Sequence, residues 1–221
     1  MEPAFWHNRW QENKIGFHLE EVNPYLIAHW PQLGLSNATR VLVPLCGKSC
    51  DLVWLAQQGM QVVGVELSEL AVEAFFTEQG LAYEKQAHAL GTVYRAENIQ
   101  IWCADYFALT AEHIGPVDAV YDRAALIAMP ENMRAEYVRQ TAALAGQVPQ
   151  LLITLVYPQQ QMTGPPFAVD EQEVAQHYQA SYRGAEQPAV SVDVLAEHAH
   201  FAQRGLTVLR ENIYLLQPIE K

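Results

Sequence analysis

Residues 41–51 read VLVPLCGKSCD, and the turn in the middle of this stretch decides the fold. The five apolar residues 41–45 read as a buried strand, and the turn that follows carries a single glycine, Gly47. A dinucleotide-binding turn needs G-x-G-x-x-G so that backbone can close on a pyrophosphate. A Walker loop needs a glycine five residues before the one in GKS, where this chain has Leu42. A phosphate cradle is therefore poorly supported, although Lys48 and Ser49 after Gly47 leave a phosphate loop open as an alternative.

The other half of a nucleoside signature is present. Glu66 ends the apolar run QVVGVEL at 61–67, 19 residues after Gly47, where a carboxylate can accept hydrogen bonds from both ribose hydroxyls. A nucleoside cofactor without phosphates, but with a carboxylate and an ammonium on its tail, is S-adenosylmethionine, and free backbone groups around Leu45 would accommodate that tail. Alone, Glu66 could equally be an ordinary strand-end charge. A third strand, IQIWC at 99–103, leads into Ala104, Asp105 and Tyr106. There Asp105 can accept from the adenine amino group while Tyr106 or its backbone borders the ring.

Outward from these ends, VDAVY at 117–121 and LLITLVY at 151–157 complete five buried strands separated mostly by helical patterns. One helix is expected to start at Ser49 and stop before Gly59. Another starts at Ser68, with Ala71, Val72, Phe75 and Phe76 on one face, and ends before Gly80. A third has Pro130 in its first turn, Met133, Tyr137, Thr141 and Leu144 on one side, and Gly146 as its stop. Such alternation predicts an α/β fold with a parallel sheet covered on both faces. The run GLTVLRENIYLL at 205–216 lacks a further crossover and reads as an antiparallel addition. The Pro- and Gln-rich segment PQQQMTGPPFAV at 158–169 is either a ligand-crevice loop or a plain surface loop.

Half of the 221 residues are apolar, enough for a sizeable core, and no repeat or linker divides the chain, so a single domain over 1–221 is expected. The formal net charge of −12 argues against nucleic acid or an anionic membrane as partners. No run reaches the roughly 18 residues of a membrane span. Three cysteines (Cys46, Cys50, Cys103) without a secretory pattern point to a reducing cytoplasm. Cys46 and Cys50 lack a second ligand pair and read as inert thiols rather than metal ligands. His198 and His200 are two apart and cannot share a metal from one helix face, so a place in solvent or on a substrate rim is expected. The remaining histidines (His7, His18, His29, His88, His113, His177) show no ligand spacing.

The opening WHNRWQENKIGFH (6–18), followed in order by PLCGKS, VVGVELS and YDRAAL, closely resembles the thiopurine S-methyltransferase family, and the match extends to NIYLL at 212–216. The resemblance implies a Rossmann-like class I S-adenosylmethionine-dependent methyltransferase fold: a mostly parallel seven-stranded sheet with an antiparallel C-terminal strand and helices on both faces. It implies a cytoplasmic, monomeric enzyme that methylates the sulfur of aromatic or heterocyclic thiols such as thiopurines. Its cofactor contacts fall on Trp10, Leu45, Glu66, Asp105, Tyr106 and Arg123, and its acceptor-site aromatic on Phe17. Some relatives carry an arginine where this chain has EHAH at 197–200, so His200 stands at that place with less charge. Bacterial members are linked to selenium and tellurium methylation.

Methyl transfer from a sulfonium is an in-line displacement that neutralises charge, so alignment and a dry site matter more than a strong base. No catalytic residue is singled out. Arg123 is expected to hold a thiolate or orient the cofactor, with a salt bridge to Asp122 or Glu66 as the plainer alternative. Residues 1–30 are expected to form an N-terminal extension whose segment 6–17 closes as a lid, Trp10 against the cofactor's tail and Phe17 against the acceptor ring. Two further readings remain open: a non-catalytic nucleoside-binding protein on the same fold, and a nicotinamide-dependent oxidoreductase.

Overall fold

The computed structural model describes residues 3–36 and 39–219, so the parts of the expected domain and lid at 1–2, 37–38 and 220–221 lie outside it. The chain opens with α1 (Pro3–Gln11) and α2 (Pro24–His29), then alternates β1 (Arg40–Pro44), α3 (Asp51–Gln57), β2 (Gln61–Glu66) and α4 (Glu69–Glu78). A hairpin of β3 (Glu84–His88) and β4 (Gly91–Ala96) leads into β5 (Ile99–Ala104), α5 (Ala111–Ile114), β6 (Ala119–Arg123), α6 (Glu131–Ala145) and β7 (Gln150–Val156). The last part holds α7 (Glu171–Tyr178), β8 (Tyr182–Arg183), β9 (Val190–Asp193), α8 (Ala199–Gln203) and β10 (Arg210–Pro218).

The sheet runs β3-β4-β5-β2-β1-β6-β7-β10-β8, with β9 paired to β10. The five central strands, β5-β2-β1-β6-β7, are parallel. β10 runs antiparallel to β7, as its lack of a crossover predicts. The sheet is wider than the expected seven strands: among the described residues it has ten, the five parallel strands and β10 being joined by the β3–β4 hairpin at one edge and by the short β8 and β9 at the other. No sequence pattern marks the hairpin, for a physical reason. Every residue of β3 (EKQAH) is exposed, so the strand carries no hydrophobic alternation.

Two apolar clusters sandwich the sheet. Leu52 and Leu55 of α3 and Val72, Phe75 and Phe76 of α4 pack with Val41 and Val43 on one face. Tyr137 and Leu144 of α6 and Val174 and Tyr178 of α7 pack with Leu42 and Val120 on the other. Ser68 caps α4 as expected, its hydroxyl accepting from Ala71 N, and Gly146 ends α6 with φ 74°. α3 begins at Asp51 rather than Ser49. Ser49 Oγ instead accepts from Asp51 N at 3.2 Å in the turn ahead of the helix.

Along the chain, β1 is followed by its neighbour β2 on one side, and only after β5 does the chain return to β6 on the other. The carboxyl ends of β1 and β6 therefore flank the point where strand order reverses, the usual ligand crevice of an open α/β sheet. Both strands end in backbone turned left-handed at non-glycine residues, Leu45 with φ 47° and Ala124 with φ 67°. Strained conformations of this kind persist where surrounding structure holds them, commonly at functional sites.

Candidate active site

A cavity of about 500 Å³ opens at that crevice, and all seven residues predicted from the sequence line it: Trp10, Phe17, Leu45, Glu66, Asp105, Tyr106 and Arg123. Four of the seven stand at or just after the ends of β1, β2, β5 and β6, so the parallel sheet itself brings them together.

Glu66 is buried, with one carboxylate oxygen accepting from Gly47 N at 2.9 Å and the other from Ser68 N at 2.8 Å. Burial pushes its carboxyl up and these backbone donors pull it back. The residue thus ties the one-glycine turn to the start of α4, and each oxygen retains a lone pair for a ligand hydroxyl. Gly47 (φ 55°) is covered by Trp10: a Cβ there would lie 3.2 Å from Trp10 Cζ2. Cys46 beneath the turn is buried, with burial and Glu66 raising its thiol well above normal. Cys103 is pushed up to about 12 for the same reasons, so both are poor nucleophiles at neutral pH.

Asp105 is exposed at the rim, where one oxygen accepts from Phe107 N at 2.9 Å and caps a short turn over 106–108. Tyr106 differs from the simplest expectation. Its ring points into the core, stacked on Tyr137 with its hydroxyl 2.9 Å from Thr141 Oγ1, which leaves backbone as the part able to border an adenine.

Arg123 forms neither of the salt bridges considered for it. Its Nη1 donates to the Phe17 carbonyl at 2.8 Å, while Asp122 accepts from Leu126 N and the Tyr137 hydroxyl instead. The end of β6 is thereby fastened to the N-terminal segment. Phe17 meets Trp10 and Trp6 edge-on, with ring centroids 5.5 and 5.9 Å away, and this aromatic group roofs the cavity. A second fastening lies just beyond, where buried Asp51 accepts from Asn23 N at 2.8 Å and from the Tyr121 hydroxyl at 2.9 Å.

The loop over 158–169 reaches the cavity through Pro165 and Pro166, so it is a site loop. It is braced by buried Arg134, whose Nη1 donates to Glu173 at 2.5 Å and whose guanidinium lies 5.7 Å from the Phe167 ring. His198 and His200 line the cavity mouth, in keeping with a rim. His18 and Glu211 also line it and were not foreseen. Neither carries a spacing signal, and Glu211 sits inside the apolar run of β10.

A buried carboxylate at the end of β2, a glycine turn closed by an indole and an aromatic roof together fit a nucleoside bearing a sulfonium cation. Comparisons with known proteins agree. A family model for thiopurine S-methyltransferase matches residues 1–218. The thiopurine S-methyltransferase of Pseudomonas fluorescens (strain SBW25) is 50% identical over 217 residues, covering 98% of this chain and 99% of that protein. The one from Shewanella oneidensis is 44% identical over 218 residues, with 98% and 99% covered. Among solved structures, a Burkholderia thailandensis 1,6-didemethyltoxoflavin-N1-methyltransferase, determined with S-adenosylhomocysteine, has a TM-score of 0.63 at 15% identity, covering 97% of this chain and 87% of that one. An S-adenosylmethionine-dependent methyltransferase from Anabaena variabilis has a TM-score of 0.64 at 12% identity, with 98% and 95% covered. The structural neighbours establish a class I methyltransferase fold, and the full-length sequence matches establish that this chain belongs to the thiopurine S-methyltransferase family.

Proposed function

We propose that the cavity at the β1/β6 crevice holds S-adenosylmethionine beside a heterocyclic thiol, and that the protein transfers the methyl group to the sulfur of thiopurine-type acceptors. The observation that carries this reading is the gathering of Glu66, the Gly47 turn and the Trp10–Phe17 aromatics around one cavity. When bound, S-adenosylmethionine supplies a methyl group made electrophilic by its sulfonium. The chain's own residues do the rest. Glu66 accepts the ribose hydroxyls, the free oxygen of Asp105 and the backbone at Tyr106 meet the adenine edge, and left-handed Leu45 opens backbone groups to the tail. Trp10 and Phe17 exclude water, and Phe17 faces the acceptor ring. Arg123 holds the roof closed through the Phe17 carbonyl and places positive charge beside the acceptor sulfur.

In this reading the segment 6–17 is a lid that opens for exchange and closes on the bound pair. The protein works as a monomer in the cytoplasm. A net charge of −12 and the absence, among the described residues, of a helix long and apolar enough to cross a membrane support small molecules, rather than nucleic acid or lipid, as its partners. Calorimetric titration tests the cofactor assignment. S-adenosylmethionine should bind and NAD should not, and the reverse result would favour the oxidoreductase reading.

A further inference from the structure

Glu211 lies in β10 opposite Leu155 of β7, half-buried, and both side chains line the same cavity as Arg123 and Phe17. Its carboxylate has no hydrogen-bond or salt-bridge partner among the described residues. A carboxylate drawn partly out of water without a donor is costly, and such groups are normally satisfied by a ligand, a water or an ion. Glu66 and Asp105, the other acids that line the cavity, already accept from backbone N–H groups. Glu211 is the lining acid with no donor at all among the described residues, and it lies within the field of Arg123.

Resting on the thiol-methyltransferase reading, we propose that Glu211 accepts the ring N–H of a heterocyclic thioamide acceptor and takes its proton during methyl transfer. Heterocyclic thiols exchange between a thiol form and a thione form, in which the proton sits on the neighbouring ring nitrogen. In the thione form the sulfur lone pair forms the new carbon–sulfur bond, while the donor's methyl–sulfonium bond breaks and its electron pair stays on the donor sulfur. The N–H bond electrons become the ring C=N bond, the C=S π pair returns to the sulfur as a lone pair, and the proton passes to the Glu211 carboxylate. Sulfonium cation, neutral thione and carboxylate thus become thioether, neutral S-methyl product and carboxylic acid. Water collects the proton when the site reopens.

The surroundings suit a base of moderate strength. Burial raises the Glu211 carboxyl, and Glu197 adds to this, while Arg123 from β6 and His198 ahead of α8 oppose it. Tyr25 of α2 and Tyr121 of β6 also lie within its field, and Arg9, Lys14, His18, His200 and Arg204 share the cavity. A carboxylate raised in this way binds a proton more readily than an exposed one.

The test compares mercaptopurine, which carries the ring N–H, with thiophenol, which lacks it, using wild type, Glu211→Gln and Glu211→Leu. Gln keeps a carbonyl acceptor but cannot take the proton. Glu211→Gln should lower kcat on mercaptopurine about tenfold more than on thiophenol, with KM little changed, as removal of a general base predicts. The acid limb of the wild-type mercaptopurine pH profile should vanish in this variant. With no methyl donor present, equilibrium titration should show Glu211→Leu binding mercaptopurine about tenfold more weakly than wild type, and Glu211→Gln nearly as well as wild type. Equal rate losses on both acceptors, or unchanged mercaptopurine affinity in Glu211→Leu, would overturn the assignment while leaving the methyltransferase reading intact. A wild-type protein that methylates neither thiol would overturn both.

Discussion

The Glu66 carboxylate accepts from Gly47 N and Ser68 N before any ligand arrives, so substitutions there separate two effects. Glu66→Ala leaves two buried N–H groups unpaired and should lower stability by about 1–3 kcal/mol for each one that water cannot reach. Glu66→Gln keeps one carbonyl acceptor and the side-chain volume. It should fold and bind S-adenosylmethionine about tenfold more weakly, as loss of a charge-assisted bond implies. Unchanged calorimetric affinity in folded Glu66→Gln would remove the ribose assignment. Gly47→Ala adds a Cβ at φ 55° that lies 3.2 Å from the Trp10 ring. Left-handed backbone alone costs a substituted residue about 1–2 kcal/mol, so a lowered Tm together with a shift in tryptophan fluorescence is expected. Asp122, buried behind the site, is raised from 3.8 to about 6, chiefly by desolvation, with the Tyr137 hydroxyl and the backbone N–H groups of Leu126 and Ala125 opposing. Its folded pKa lies above the unfolded one, so the folded state holds the proton more tightly. Its contribution therefore favours folding at low pH and is lost as pH rises through about 6. Denaturant titrations should show wild type gaining stability relative to Asp122→Asn as pH falls across this window. A constant difference would contradict the account.

At the scale of elements, two fastenings hold the N-terminal segment: Arg123 to the Phe17 carbonyl, and Asp51 to Asn23 N. The first lies between α1 and α2 within the proposed lid, and the second lies at its base. Bound S-adenosylhomocysteine should slow amide exchange in α1 and residues 12–17 while leaving the start of α2 nearly unchanged. Equal exchange with and without ligand would mean that α1 is a fixed part of the core. The loop bearing Pro165 and Pro166 depends on a different brace. Arg134→Ala removes one of the two partners of Glu173, leaving His177, and the contact with Phe167, and should cost about 1–3 kcal/mol, as loss of charge-assisted hydrogen bonds implies. Acceptor KM should rise more than S-adenosylmethionine Kd changes, because the brace supports the loop rather than Glu66.

For the whole molecule, the legible parts were those in which chemistry repeats with the period of the fold. Strand ends β1, β2 and β5 each follow an apolar run, so Leu45, Glu66 and Asp105 can be placed on one edge from the sequence alone, whereas Arg123, Trp10 and Phe17 come from the family resemblance. Orientation was less legible. The inward turn of Tyr106 follows from Thr141 and Tyr137, which lie 35 and 31 residues away in sequence, and no local pattern encodes it. Arg134 reads as an ordinary helix-surface cation until Glu173 and Phe167 fold onto it. The β3–β4 hairpin was silent because β3 buries nothing. The account's central claim is that one cavity brings a methyl donor and a thiol sulfur into line, and the position of the transferred methyl tests it most directly. With carbon-13 labelled S-adenosylmethionine and mercaptopurine, NMR of the product should place the label in an S-methyl group, one per donor consumed. A label on a ring nitrogen, or donor bound without any labelled product, would contradict it.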